Sequence, residues 1–143
     1  MAILDRRPAS REQLIKKLVE KGASHEQALQ VAQWLCSIGA LDDMKFAEDV
    51  ARSYARKGYG AARVRSELYR RGIDRETADR AIEEMEPSQD AIDRFVASRL
   101  KGKKPDRDET RRLYAALARR GHGHEEIKQA LSRYAPEDID FDS

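Results

Sequence analysis

The residues able to do acid–base, nucleophilic or metal chemistry are few in this 143-residue chain and scattered along it. Its three histidines are His25, His122 and His124, and its one cysteine is Cys36. His122 and His124 flank Gly123 and lack the paired spacing of a zinc site. Cys36 has no second cysteine to pair with and stands among apolar residues, where a small buried core residue is expected. Gly58-Tyr59-Gly60 has too few glycines for a phosphate-binding loop and follows a predicted helix, with no Lys-Ser/Thr after it. The carboxylate pair Glu83 and Glu84 reads as a solvated helix face. No catalytic residue, metal ligand or cofactor is therefore assigned, and the chain is expected not to be an enzyme.

What the sequence does concentrate is guanidinium and ammonium. Between Val50 and Arg75 stand Arg52, Arg56, Lys57, Arg63, Arg65, Arg70, Arg71 and Arg75, opposed only by Glu67 and Asp74. A second block from Arg94 to Arg120 faces only Asp106, Asp108 and Glu109. The acids gather at Glu76–Glu86 and in the tail Glu137–Asp142, so the net charge is only +2. Such blocks suit phosphates or carboxylates of a partner, because arginine donates in a fixed fork to either. For a single arginine a solvated surface is the simpler reading. For Arg52, Arg56, Lys57, Arg63, Arg70 and Arg71 together, around one predicted turn, a partner-binding surface is the better one. Tyr59, inside that turn, is read either as an exposed aromatic anchor or as a lid over the core.

The elements that hold this turn repeat along the chain. Gly22, Gly72 and Gly121 are spaced by 50 and 49 residues. Eight residues before them stand Leu14, Val64 and Leu113, and four before them Leu18, Leu68 and Leu117. Each pair lies on one helical face. A second stripe follows: Ala28, Val31 and Ala32; Ala78, Ala81 and Ile82; Ile127, Ala130 and Leu131. The glycine permits the left-handed turn that ends one helix before the next starts. Ser24 and Asp74 are suitable N-caps, with His124 a poorer one. A leading helix precedes the hairpin twice, with Phe46, Val50 and Tyr54 as one stripe and Ile92, Phe95, Val96 and Leu100 as the other. In the first copy only residues 1–9 precede the hairpin, and Pro8 is expected to break any helix there. Asp106 is placed to cap the next helix, with Glu109 positioned for a capping box.

These patterns predict an all-α fold of about eight helices: tandem three-helix repeats in three copies, the first truncated, elongated and curved. The expected divisions are 1–38, 39–86, 87–134 and an acidic, disordered tail at 135–143. Gly102–Arg107 is expected to be a mobile loop. The simpler alternative is an ordinary helical bundle whose glycines are only helix stops. With 38% charged and 6% aromatic residues the core must be lean. No apolar stretch approaches the roughly 20 residues that cross a bilayer, and no signal-peptide pattern opens the chain. A cytoplasmic monomer is expected.

One segment carries a recognisable order of motifs: Gly39-Ala40-Leu41-Asp42-Asp43-Met44-Lys45-Phe46-Ala47, Arg56-Lys57-Gly58-Tyr59-Gly60, Arg63-Val64-Arg65-Ser66-Glu67-Leu68, and Arg71-Gly72-Ile73-Asp74. It strongly resembles the RecX family, and the looser repeat extends the resemblance over roughly Ser10–Tyr134. The chain departs from the family at Ala40, where a larger residue is common, at Ala61, where proline is common, and in its short amino terminus. Most of the motif is structural: Leu41, Phe46, Val64 and Leu68 are expected in the core, Asp42 or Asp43 as an N-cap, and Gly58, Gly60 and Gly72 in turns. The resemblance implies a regulator in recombination, DNA repair and the SOS response. Such a regulator binds in the groove of a RecA–DNA filament and inhibits its growth, ATP hydrolysis, strand exchange and co-protease role. The alternative is a helix-turn-helix-like module that binds DNA directly through its basic helix starts.

Overall fold

The computed structural model describes residues 9–136 and 139–141. Among them are eight helices and no strand: α1 (Arg11–Glu20), α2 (His25–Ser37), α3 (Asp43–Arg56), α4 (Ala61–Arg70), α5 (Arg75–Glu83), α6 (Ser88–Leu100), α7 (Arg107–Arg119) and α8 (His124–Leu131). The fold is all-α and built from repeated three-helix elements. The break expected at Pro8 lies outside the described residues. So do four residues of the tail, Glu137, Asp138, Asp142 and Ser143, whereas Phe141, in the tail expected to be disordered, packs against a core.

Side-chain caps start five of the helices, α1, α2, α3, α5 and α7. Ser10 and Ser24 form reciprocal capping boxes with Gln13 and Gln27. Asp42 caps α3 by accepting from the amides of Met44 (3.0 Å) and Lys45 (3.1 Å). Its neighbour Asp43 instead accepts from the amide of Arg11 at 2.8 Å, at the start of α1. Asp74 caps α5, and Asp106 caps α7 through the Glu109 amide. At α8 the cap position falls to Gly123, which has no side chain to offer, and His124 becomes the first helical residue. Arg107, expected in the preceding loop, likewise opens a helix.

The chain packs as two units, with the division inside α3 and α4. One runs up to Ala51 and includes Arg65–Glu84; the other joins Arg52–Val64 to the chain from Met85 onward. In the first unit Leu14, Ala32, Leu35 and Leu41 form a core, with Ile15, Leu18 and Val31 packed on it. Cys36, expected in this core, is exposed. The buried stripe of α2 is Ala28, Ala32 and Leu35, and Cys36 stands one residue, about 100° of helix, past it. In the second unit Ile92, Val96 and Leu100 of α6 meet Leu113 and Leu117 of α7 and Ile127, Ala130 and Leu131 of α8. Phe95, Tyr114, Tyr134 and Phe141 pack against that core.

The first unit contains a charge constellation that explains two of the arginines. Glu67 is 8% exposed. Its carboxylate accepts from Arg70, including Nε at 3.1 Å, and from Arg71 Nε at 2.7 Å. A carboxylate buried there must be paired. The bond from Arg70 comes first and that from Arg71 supports it, against the cost of burial; together they hold the Glu67 carboxyl down to about 2 from its ordinary 4.5. A lowered carboxyl pKa stabilises the fold above the unfolded value and loses that stabilisation as pH falls through the folded one. Stability is therefore expected to fall between about pH 4.5 and 2. Glu67→Gln removes that dependence and lowers stability at neutral pH by about 2 kcal/mol, because the exposed Arg70 is screened by solvent. Urea unfolding of both proteins across this pH range checks it; parallel curves would refute the assignment.

Candidate functional site

The turn from Arg56 to Arg63 is fixed within the second unit by backbone geometry. Gly58, at φ +89°, ends α3, with its amide on Ala55 O at 2.9 Å and the Tyr59 amide on Tyr54 O at 3.0 Å. The end of α3 still leaves carbonyls without helical partners. Arg120 Nη2 donates to Lys57 O at 2.6 Å. His122 Nε2 donates to Gly58 O at 2.9 Å. In return, the Gly60 amide donates to Arg120 O at 2.8 Å and the Ala62 amide to Gly121 O at 3.1 Å. Two glycine turns thus meet backbone to backbone. A Cβ on Gly60 would lie 2.5 Å from Gly121 O, and one on Gly121 would lie 2.4 Å from the Arg63 amide nitrogen.

Tyr59 is half-buried in this turn. The Arg120 guanidinium lies 4.9 Å from its ring centre and that of Arg63 5.3 Å. Tyr54 packs against it at 5.4 Å. These cation–π contacts hold the ring in place, while the N–H groups at the rim of Arg120 donate to the end of α3 and those of Arg63 stay turned outward to meet acceptors. Arg52, Arg56, Lys57 and Arg63 are exposed around it. Lys57 Nζ also sits 5.6 Å over the Tyr54 ring.

The structure divides the predicted cluster. Arg52, Arg56, Lys57, Tyr59 and Arg63 belong to the turn in the second unit, whereas Arg70 and Arg71 belong to the first, where Glu67 engages both. Arg71 also lies 5.9 Å from the Phe46 ring centre. Phe46, Val64 and Leu68 are buried, as is Leu41. Sequence reasoning missed Arg120 and His122, which lie more than 60 residues from the turn they clamp. The two C-terminal histidines have separate tasks: His124 Nδ1 meets the Tyr114 hydroxyl at 2.6 Å. Among the described residues no group of three His, Cys, Asp or Glu is placed to hold a metal ion. No described helix is long and apolar enough to cross a membrane.

Two outcomes follow for the clamp. Gly121→Ala is expected to cost about 3 kcal/mol in urea unfolding, since its Cβ meets backbone at a left-handed position. Gly22→Ala, where no described atom lies within 4 Å, should cost only about 1 kcal/mol. Equal costs would show that backbone contact does not matter. His122 is 6% exposed and its Nδ1 is buried without a partner among the described residues. Burial, aided by the Arg120 charge, pushes its imidazole below the ordinary 6.5, against the Gly58 bond and Glu126. The unfolded chain then takes up a proton that the folded one refuses, so stability drops as pH falls below 6.5. His122→Gln should lack that drop; a drop of the same size in the variant would refute it.

The comparisons with known proteins agree with one another. A family model described as "RecX, second three-helix domain" matches residues 42–82. The chain is 36% identical over 96% of its length to the regulatory protein RecX of Stenotrophomonas maltophilia strain R551-3, covering 85% of that protein. It is 32% identical to the regulatory protein RecX of Pseudomonas entomophila, over 92% of this chain and 86% of the relative. The crystal structure of RecX from Lactobacillus salivarius superposes with a TM-score of 0.80 at 16% identity, covering 93% of this chain and 90% of that one, a likeness of fold. With the motifs, the repeated three-helix elements and relatives matched over nearly their whole length, the chain belongs to the RecX family.

Proposed function

We propose that this chain is a non-enzymatic regulator that binds RecA–DNA filaments and inhibits filament extension, ATP hydrolysis, strand exchange and co-protease activity. It acts as a cytoplasmic monomer, and its second copy, residues 39–86, makes the decisive contact. Family membership supports a regulatory role. The observation that carries the reading is the clamped turn, where exposed Arg52, Arg56, Lys57 and Arg63 surround a backbone fixed by Arg120 and His122. A fixed basic turn binds without first losing loop entropy. Its guanidiniums match carboxylates on a RecA surface or phosphates within the filament.

The test is ATP hydrolysis by RecA on single-stranded DNA, with this protein added from far below to above the RecA concentration. The rate is expected to fall at substoichiometric ratios. Arg56→Ala/Lys57→Ala/Arg63→Ala should raise the concentration for half-inhibition about tenfold, at several tenths of a kcal/mol per charge. Its helical circular dichroism should be unchanged. Inhibition by the folded variant equal to that of the parent would refute the assignment.

A further inference from the structure

We propose that a second basic site, a groove of the second unit between the end of α6 and the flank of α7, binds the phosphate backbone of a nucleic acid. This inference does not rest on the filament reading. The groove has a volume of about 430 Å³ and is lined by Arg99, Lys101, Lys103 and Arg112, with Leu113 at its wall. Glu109 is the one carboxylate among its lining residues. Among the described residues no ion pair within 4.0 Å engages Lys101, Lys103 or Arg112. All four cations are exposed. Arg99 lies 4.8 Å from the Phe95 ring centre, which sets its plane while leaving its N–H donors at the edge.

The backbone supplies an independent observation. Lys101, at φ +50°, is the one non-glycine residue at positive φ among the described residues. Glycine would hold this left-handed cap without strain, and Gly102 stands next to it. Strain kept at a lysine points to a use for its side chain. A cation near the end of α6 also favours the helix dipole. That account does not reach Lys103, beyond the helix, or Arg112, in the middle of α7.

The chemistry favours nucleic acid over an acidic protein. Protein interfaces rest on buried apolar anchors. Among the described residues the large exposed apolar ones, Val19, Trp34, Ile38 and Tyr69, all belong to the other unit. No aromatic residue lines the groove, so base stacking is absent and binding should be indifferent to sequence.

The experiment is fluorescence anisotropy of a short labelled oligothymidylate with the full chain and no RecA, over a series of salt concentrations. Because RecA is absent, its outcome is separate from that of the filament reading. Lys103→Ala/Arg112→Ala should weaken binding roughly fivefold or more and make the salt slope shallower by about 1.4, two contacts at about 0.7 each. Lys103→Arg/Arg112→Lys should retain most of both. Lys101→Gly should weaken binding while its urea midpoint holds or rises, a split that a structural residue would not give. An oligoadenylate should bind as oligothymidylate does. Unchanged affinity and slope in the double alanine variant, absence of binding by the parent chain, or equal competition by polyglutamate at matched charge would each overturn the proposal.

Discussion

A carbonyl that precedes a left-handed glycine at a helix end points away from its own helix and needs a donor from elsewhere. Arg71 O receives the Ser10 hydroxyl. Arg120 O receives the Gly60 amide at 2.8 Å. Arg71 and Arg120 are 49 residues apart, and Ser10 and Gly60 are 50 apart, which are the spacings of the repeat itself. Both donors sit at the start of a helix of the preceding copy. The same carbonyl is therefore satisfied in each packed unit, by a side-chain hydroxyl in one and a backbone amide in the other. Neither joint tolerates a side chain at the glycine. A Cβ on Gly72 would lie 2.8 Å from Glu12 Cβ, just as one on Gly121 would meet the Arg63 amide at 2.4 Å.

The candidate site is a consequence of the second joint. Seating Gly121 on the start of α4 brings Arg120 and His122 to the end of α3, where Lys57 O and Gly58 O need donors. Satisfying them fixes the turn's backbone, and Tyr59 is then held by Arg63 and Arg120. The exposed cations thus extend from a frame set before any partner arrives, the condition under which charge–charge contacts gain most.

The sequence shows the parts of this arrangement that are local. Glycine spacing, the Ser10, Ser24, Asp74 and Asp106 caps and the apolar stripes all depend on neighbours within a turn or two. Cys36 is exposed despite its apolar neighbours because about 100° of helix separates it from buried Leu35, an angle that neighbour composition does not carry. Arg70 and Arg71 share a buried acceptor that a count of charges does not show, because Glu67 stands in the sequence as one acid in a basic block. Arg120 and His122 could have been found by laying one copy over the next. His122 occupies the position of Ile73, which is 3% exposed, and is itself 6% exposed. A histidine at a core position must find a polar partner, and Gly58 O is that partner.

The same superposition explains why equivalent arginines act differently. Arg71 and Arg120 both precede the anchor glycine, but the position of Glu67 in one copy is held by Ala116 in the next. With Glu67 present, Arg71 closes onto its own helix at 2.7 Å. With Ala116 in its place, Arg120 has no carboxylate on its helix four residues back, and it donates to Lys57 O and Gly58 O. One glutamate-to-alanine difference between copies thus converts an internal ion pair into a clamp on another copy. It also shows why the number of basic residues in a block is a poor measure of its binding surface. What such a block can offer to a partner is the remainder after internal acceptors are filled, and the surfaces proposed above, at Arg56 and Lys57 and along the α6–α7 groove, are of that kind.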